Sequence, residues 1–274
     1  MSESYKRLME ILDIEKNGPK KSLGQNFLIS DTIIDRIIQK AWSFKTHKMI
    51  EIGPGPGSLT FFLKQQNIDL TLIELDKNWA EHWRQQGMQV IEEDALRLDW
   101  SKLSGPDTLL VSNLPYQISS SIVIDRCLDE NLLMGMVLMF QKEVAQKIRG
   151  IPDSDHFGFL SVIAQSFWTI ETVTDAGPKD FWPAPKVASR VLCFTPRSQD
   201  LRPYKPKAYL KFVKQAFHQR RKTLRSNWES YLNQIKPDGW KSSLDLILTW
   251  GFTEKLRAEE LSSEQFQKIW KALQ

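Results

Sequence analysis

The chain has 274 residues, a formal net charge of +4 and a hydrophobic content of 41%. This length accommodates one large and one small domain with a substantial core. The longest apolar run, residues 132–140, is too short to cross a bilayer, and the N-terminus lacks the apolar stretch of a signal peptide. Two cysteines without metal-ligand spacing suggest a reducing compartment. We therefore expect a cytoplasmic protein with no membrane span and no bound metal.

The first 30 residues form a basic arm that ends in the segment Gly24-Gln-Asn-Phe-Leu28. A plain disordered tail is the alternative interpretation for the part up to Gly18. Asp31 is predicted to cap a helix over residues 32–41, because apolar side chains recur on one face at Ile33, Ile34, Ile37 and Ile38.

A short apolar strand over residues 49–52 runs into glycines at 53, 55 and 57 and then into an amphipathic segment. Such a strand, tight turn and helix start lets the backbone approach a nucleotide-like ligand. A dinucleotide fold prefers G-x-G-x-x-G, but the spacing here is G-x-G-x-G. Pro54 and Pro56 also remove two N–H groups that would cradle a pyrophosphate. The loop favours an uncharged or cationic adenosine cofactor over the alternative, a nicotinamide-dependent oxidoreductase.

Polar side chains follow the next three predicted strands. A strand from Leu70 ends at Glu74, whose carboxylate is placed to accept both ribose hydroxyls of a cofactor. The third strand ends at Asp94, an acceptor for an adenine amine. A buried run over residues 108–112 then ends at Asn113. Because ligands of open α/β sheets bind beyond the carboxyl ends of the strands, these side chains predict one binding site.

The segment Asn113-Leu-Pro-Tyr116 offers what the exocyclic amine of a base requires. The Asn113 side chain supplies one carbonyl acceptor. The backbone carbonyl of Leu114, aimed by the rigid Pro115, supplies a second, and Tyr116 supplies a face on which the base can stack.

Further strands are predicted at residues 134–140 and near 168–175 and 187–195, followed by a linker over 198–206. From Lys207 the periodicity is helical, with a break at residues 236–239. Residues 201–228 carry nine Lys or Arg residues and no acid, which is typical of either a solvated helix face or a phosphate-binding surface. At this spacing Phe212, Phe217 and Leu224 are predicted to pack in a core.

These segments together resemble the rRNA adenine N6,N6-dimethyltransferase family of S-adenosylmethionine-dependent enzymes. The resemblance covers almost the whole chain, and its matching segments are residues 20–28, 51–57, 74–76, 94–96, 113–116, 140–143, 181–187 and 216–225. It departs from the family pattern at Ala188, where an acid is usual, and at Arg190, where a small residue is usual.

The resemblance implies an α/β fold, namely a Rossmann-like methyltransferase sheet with a small all-helical C-terminal domain. The expected divisions are an N-terminal arm over residues 1–30, the sheet domain over 31–199 and a helical RNA-binding domain over 200–274. The cofactor S-adenosyl-L-methionine is expected on Asn26, Leu28, Gly53, Gly55, Gly57, Glu74, Asp94 and Asn113. The target adenine is expected between Tyr116 and Phe181, with Asn113, Leu114 and Pro115 beside its amine. RNA is expected on Arg220, Arg221, Lys222 and Arg225.

The reaction implied is methyl transfer to N6 of two adjacent adenosines in a hairpin loop near the 3′ end of small-subunit (16S) rRNA. We expect the partner to be this rRNA or an immature 30S particle, the enzyme to be a monomer, and the reaction to be linked to ribosome biogenesis. One alternative is a large-subunit rRNA adenine methyltransferase of the antibiotic-resistance type. Another is a mainly RNA-binding assembly factor.

Overall fold

A computed structural model describes residues 2–15, 18–20, 23–64, 67–129 and 132–274 of the chain. The chain divides into two compact units, one formed by residues 1–145 and 170–196 and the other by residues 146–169 and 197–274. This grouping assigns a segment from the middle of the chain to the C-terminal helices. The predicted divisions at residues 30 and 199 remain predictions.

The first unit is built around a mostly parallel sheet. A two-residue strand, β1 (Phe27–Leu28), pairs antiparallel with β8 (Phe181–Trp182) beside it. The strands of the main sheet are β2 (Lys48–Ile52), β3 (Asp69–Ile73), β4 (Gln89–Ile91), β5 (Thr108–Asn113), β6 (Gly135–Gln141), β7 (Trp168–Ala176) and β9 (Ser189–Pro196). Their order is β4-β3-β2-β5-β6-β9-β7, with β9 antiparallel to β6.

The central strands are almost wholly buried, because a parallel sheet is covered on both faces. Helices α1 (Glu3–Glu15), α2 (Asp31–Trp42), α3 (Thr60–Leu63), α4 (Lys77–Gln85), α5 (Ser119–Cys127) and α6 (Lys142–Ile148) alternate with the strands. The apolar stripe of α2, with Ile34 and Ile37, lies in the main core. The predicted Rossmann-like fold class is confirmed.

At the start of the chain, the alternative of a plain tail and the prediction of an Asp31 cap are both wrong. Residues 3–15 form the helix α1 and are not a plain tail. The helix α2 begins at Asp31 after Ser30, so Asp31 is not its cap. The Asp31 carboxylate instead accepts hydrogen bonds from the backbone N–H groups of Glu3 and Ser4, each at 3.0 Å. It therefore satisfies two of the unpaired donors at the start of α1.

The second unit is helical. It contains α7 (Phe159–Phe167), α8 (Pro206–Ala216), α9 (Leu224–Ile235), α10 (Gly239–Thr249) and α11 (Ser263–Ala272), and the predicted break falls between α9 and α10. Phe212 is fully buried and stacks on Trp228 with ring centroids 4.5 Å apart. Phe217 stacks on Phe266 at 5.7 Å. The prediction that these aromatic residues pack in a core is confirmed. Within the described residues, no helix is long and apolar enough to span a membrane.

Candidate active site

A cavity of about 290 Å³ lies in the first unit, beyond the carboxyl ends of β2, β3 and β5. The polar groups that follow these strands converge there, because neighbouring parallel strands end at the same edge of the sheet. The predicted site residues that line it are Asn26, Gly53, Gly55, Glu74, Asp94, Asn113, Leu114, Pro115 and Tyr116. The structure thus brings together nine predicted residues from five separate parts of the sequence.

The glycine loop forms the wall of the cavity above β2. Gly53 and Gly55 both have positive φ angles, 64° and 52°, which favour glycine. The Gly55 N–H donates to the Glu74 carboxylate at 3.0 Å. Pro115 approaches from the facing loop, within 3.5 Å of the place where a Cβ on Gly53 would lie. A side chain at Gly53 would therefore narrow the cavity between the two loops.

Two backbone N–H groups hold the carboxylate of Glu74 in place. Its carboxylate accepts from the N–H groups of Gly55 at 3.0 Å and Asp76 at 2.8 Å, and its side chain is nearly buried. Burial raises the pKa of Glu74, while the two N–H donors act in the opposite direction. Each carboxylate oxygen has a further acceptor site, so Glu74 can still receive hydroxyl groups of a ligand.

The N-terminal arm is attached to the end of β3 through Asp76. The Lys20 ammonium lies 2.6 Å from one oxygen of Asp76, and Gln25 Nε2 lies 3.3 Å from the other. Asp76 is almost fully buried and does not line the cavity, whereas Gln25 and Asn26 do. The ion pair therefore holds the arm where its backbone closes one side of the site.

Asn113 contacts the same arm. Its Nδ2 donates to the Asn26 carbonyl at 3.2 Å. A carbonyl can only accept, so the contact requires the amide nitrogen on this side and assigns acceptance from a ligand to Oδ1. The amide is thus oriented in the way that binding an exocyclic amine requires.

The other two predicted contributors at this edge are Asp94 and Tyr116. The Asp94 Oδ1 accepts from the Leu96 N–H at 3.0 Å, which fixes the turn after β4. The Tyr116 hydroxyl lies 2.7 Å from the Ser189 hydroxyl. Burial raises the pKa of Tyr116, so the phenol is neutral across the physiological range.

Sequence reasoning from strand ends missed Glu51 as a site residue, although Glu51 lies within a matching segment. Glu51 lines the cavity, is only 2% exposed, and accepts from Thr60 Oγ1 at 2.8 Å. Burial raises the pKa of its carboxyl to about 8, and the charge of Glu74 acts in the same direction. A single acid among the apolar residues Met49, Ile50 and Ile52 is unusual for a buried strand, but it does not show which way its side chain points.

The charge of the cavity wall distinguishes between classes of cofactor. Four carboxyl groups line it, at Glu51, Glu74, Glu93 and Asp94, and no Lys, Arg or His is among its described lining residues. A pyrophosphate requires N–H donors and cations, whereas these acids fit hydroxyl groups, amines and a positive charge. The wall therefore fits a cationic adenosine cofactor and does not fit a nicotinamide dinucleotide.

Three predicted site residues are not among the lining residues of the cavity. The side chain of Leu28 is in the core, and its carbonyl accepts from Ser58. Gly57 lies against Trp83, whose ring is 2.5 Å from the place where a Cβ would lie, so it serves packing. Phe181 is buried in β8 and belongs to the same core as Leu28. A role for Phe181 on the target base, and roles for Leu28 and Gly57 on the cofactor, remain predictions.

The predicted RNA-binding residues lie in the second unit, and acids from later in the chain neutralise two of them. Arg220 pairs with Glu259 at 3.2 Å. Arg225 pairs with Glu229 at 3.0 Å and with Glu254 at 3.3 Å. Arg221 and Lys222 are exposed and form no ion pair within the described part of the chain. Their contact with RNA remains a prediction.

The fold and the acidic cavity define an S-adenosylmethionine-dependent methyltransferase of the Rossmann-like class. The family model described as ribosomal RNA adenine dimethylase matches residues 16–274. A protein of Bdellovibrio bacteriovorus named Ribosomal RNA small subunit methyltransferase A is 53% identical over 99% of this chain and 98% of its own length. A protein of the same name from Brucella anthropi is 36% identical over 94% of this chain and 93% of its own.

Solved structures agree with the fold. A dimethyladenosine transferase from Plasmodium falciparum is 23% identical and has a TM-score of 0.73, with 89% of this chain and 95% of that chain covered. The 23S rRNA methyltransferase ErmE is also 23% identical and has a TM-score of 0.69, with 90% and 99% covered. The chain belongs to the ribosomal RNA adenine dimethylase family.

Proposed function

We propose that this enzyme transfers methyl groups from S-adenosylmethionine to N6 of two adjacent adenosines in a hairpin loop near the 3′ end of 16S rRNA, giving dimethyladenosine. The observation that carries the proposal is the Asn113-Leu-Pro-Tyr116 segment on the wall of the acidic cavity. The names of the 53% and 36% identical relatives both specify the small subunit. They favour this substrate over the large-subunit alternative.

S-adenosylmethionine, when bound, would supply a methyl group that is electrophilic because it is attached to a sulfonium, whose sulfur would leave with the C–S bonding pair as a neutral thioether. The acids of the cavity fit the other parts of this cofactor. Glu74 and Asp94 both line the cavity, where Glu74 would accept the ribose hydroxyls and Asp94 the adenine amine. Asn26 and the glycine loop would hold the cofactor from the two sides of the cavity.

Asn113 and Leu114 would activate the target. Adenine N6 is a poor nucleophile because its lone pair is delocalised into the ring. Hydrogen bonds from the amine to Asn113 Oδ1 and to the Leu114 carbonyl favour a pyramidal nitrogen and make the lone pair available. No general base is needed before attack, because the protonated product amine is strongly acidic and releases its proton to water. Tyr116 would stack on the base, as pockets for flipped bases require.

The substrate is reached as part of a larger RNA. A loop base is partly unstacked, so turning it out of the helix costs less than extruding a paired base. Arg221 and Lys222 of the second unit are exposed, which supports their contact with phosphates of the RNA. We further propose that the partner is small-subunit rRNA or an immature 30S particle, that the enzyme acts as a monomer in the cytoplasm, and that the modification accompanies ribosome biogenesis.

The direct test is mass mapping of methylated adenosines after 30S particles from an unmethylated strain are incubated with the enzyme and labelled S-adenosylmethionine. We expect two adjacent dimethyladenosines near the 3′ end of 16S rRNA and none with the Asn113→Ala variant. Label in large-subunit rRNA, on another base, or only as monomethyladenosine contradicts the proposal. Binding to particles without methyl transfer would identify an assembly factor instead.

A further inference from the structure

We propose that Ser189 is a positioning residue for the target base, and that its hydroxyl fixes the ring of Tyr116 on which the base stacks. This inference rests on the proposed function, because it assigns a role to a residue behind the stacking face. The two hydroxyl oxygens are 2.7 Å apart. Ser189 is fully buried in β9, whereas Tyr116 lines the cavity. The contact therefore connects the sheet core to the surface of the active site.

Hydrogen bonds within the turn hold the backbone of Tyr116, but they do not fix the direction of its ring. The Tyr116 carbonyl accepts from Ser119 Oγ at 2.9 Å, and the Pro115 carbonyl accepts from the Ile118 N–H at 3.1 Å. These bonds fix the turn and leave the two side-chain torsions of Tyr116 to be determined. A hydrogen bond at the phenolic oxygen, the atom most distant from Cα, fixes the direction in which the ring extends. The ring is thus held at both ends before the base arrives.

The position of Ser189 is in turn fixed by the sheet. Ser189 lies opposite Gln141 of β6, and the Lys142 N–H donates to the Ala188 carbonyl at 2.9 Å. The register of β9 against β6 therefore decides where the hydroxyl lies. A shift of one residue would turn Ser189 to the other face of the sheet.

Arg190 strengthens this register. Its guanidinium binds both oxygens of Asp175 on β7, at 2.5 and 2.9 Å, and Lys142 reaches the same carboxylate at 3.0 Å. The Arg190 and Lys142 cations hold the pKa of Asp175 down at about 2. Because side chains alternate along a strand, this network and Ser189 lie on opposite faces of β9.

Stacking alone does not account for the tyrosine. A phenylalanine offers nearly the same aromatic face to a base, so the hydroxyl adds no stacking surface. Its removal would instead leave the buried Ser189 hydroxyl without this partner. A ring that is already fixed loses less conformational entropy when the base binds. Because methyl transfer requires an aligned amine, we expect this advantage to appear in the rate of methyl transfer.

The test compares Ser189→Ala, Tyr116→Phe and the double variant in single-turnover methylation of 30S particles, with cofactor affinity measured by calorimetry. We expect each single variant to lose roughly 2- to 10-fold in rate with unchanged cofactor affinity. The double variant should be no slower than the slower single variant, because both changes remove one hydrogen bond. If Ser189→Ala does not fold, Tyr116→Phe removes the same hydrogen bond by a change at the cavity wall and not in the sheet.

Ser243→Ala is the matched control. Ser243 is a buried serine of α10 whose hydroxyl donates to the Gly239 carbonyl at 2.7 Å. We expect it to lower the thermal midpoint but to keep the wild-type rate. A wild-type rate in Ser189→Ala, or losses that multiply in the double variant, would overturn the role of Ser189 and leave the proposed function standing. A wild-type enzyme that makes no dimethyladenosine would overturn both.

Discussion

The Lys20 ammonium and the Asp76 carboxylate are 2.6 Å apart, and they connect the N-terminal arm to the end of β3. The pair lies outside the cavity, yet the arm that it holds brings Gln25 and Asn26 to the cavity wall. Asn26 in turn orients the amide of Asn113. An ion pair outside the cavity thus helps to set the orientation of an amide that lines it.

We expect Lys20→Met to weaken cofactor binding about 2- to 5-fold. The ammonium is partly exposed, so the pair contributes about 0.5–1 kcal/mol. Calorimetric titration with S-adenosylmethionine measures the change. Lys40→Met is the control, because Lys40 pairs with Glu171 elsewhere in the first unit. Equal affinities in the two variants would show that the arm does not depend on Asp76.

Glu74→Ala should weaken cofactor binding by about 1.5–3 kcal/mol, because it removes hydrogen bonds to a charged acceptor. The structure adds a second reason, since Glu74 also fixes the N–H groups of Gly55 and Asp76. Calorimetry on the folded variant gives the value. Glu92→Ala is the control, because Glu92 pairs with Arg84 and is not a lining residue. Unchanged affinity in Glu74→Ala would remove Glu74 from the ribose site.

Asn113→Ala should fold and lose most of its turnover, with a smaller loss of cofactor affinity. The change removes the acceptor for the amine and also the bond to the Asn26 carbonyl, which holds the arm. Single-turnover rates at saturating cofactor separate the two effects. A wild-type rate under these conditions would show that polarisation of the amine by Asn113 is not needed.

Glu51 makes stability depend on pH. Its folded-state pKa is about 8, above the ordinary value of 4.5, because the carboxyl is buried. The folded chain therefore retains a proton that the unfolded chain releases. The stabilisation is complete below pH 4.5 and is lost as the pH rises through 8. We expect Glu51→Gln to flatten this decline, which has a magnitude of several kcal/mol. Urea unfolding of the wild type and of Glu51→Gln at pH 5.5 and 8.5 measures the fall in the free energy of unfolding. The same fall in both proteins would contradict the prediction.

The residues at the ends of the strands could be predicted from the sequence pattern. The interactions that they form with residues distant in sequence could not. Glu74, Asp94 and Asn113 follow successive strands, so the ends of a parallel sheet bring them together without further information. The hydrogen bonds that orient them come from residues far away, such as Asn26 for Asn113. Glu51 was missed because an acid within a strand gives no local sign of which side it faces.

The same limit explains the two errors at the N-terminus and the neutralised arginines. Asp31 has the sequence context of a cap for its own helix, but it caps α1, which lies 27 or 28 residues earlier. Arg220 lies in a stretch without acids, but it forms an ion pair with Glu259, which is 39 residues further on. Local charge patterns describe composition, whereas pairing depends on how the helices pack.

Removal of two exposed cations should therefore affect RNA binding more than removal of two paired ones. We expect the double variant Arg221→Ala, Lys222→Ala to lower the slope of log K against log salt by about 0.7–0.9 for each phosphate that is no longer neutralised. The variant Arg220→Ala, Arg225→Ala is the matched control with the same charge change, and its slope should fall less because Glu259 and Glu229 already neutralise these side chains. Filter binding of the 16S hairpin over a range of salt concentrations gives both slopes. An unchanged slope in the first variant would mean that Arg221 and Lys222 belong to a solvated helix surface, and a larger fall in the second would mean that the arginines leave their acids to bind RNA.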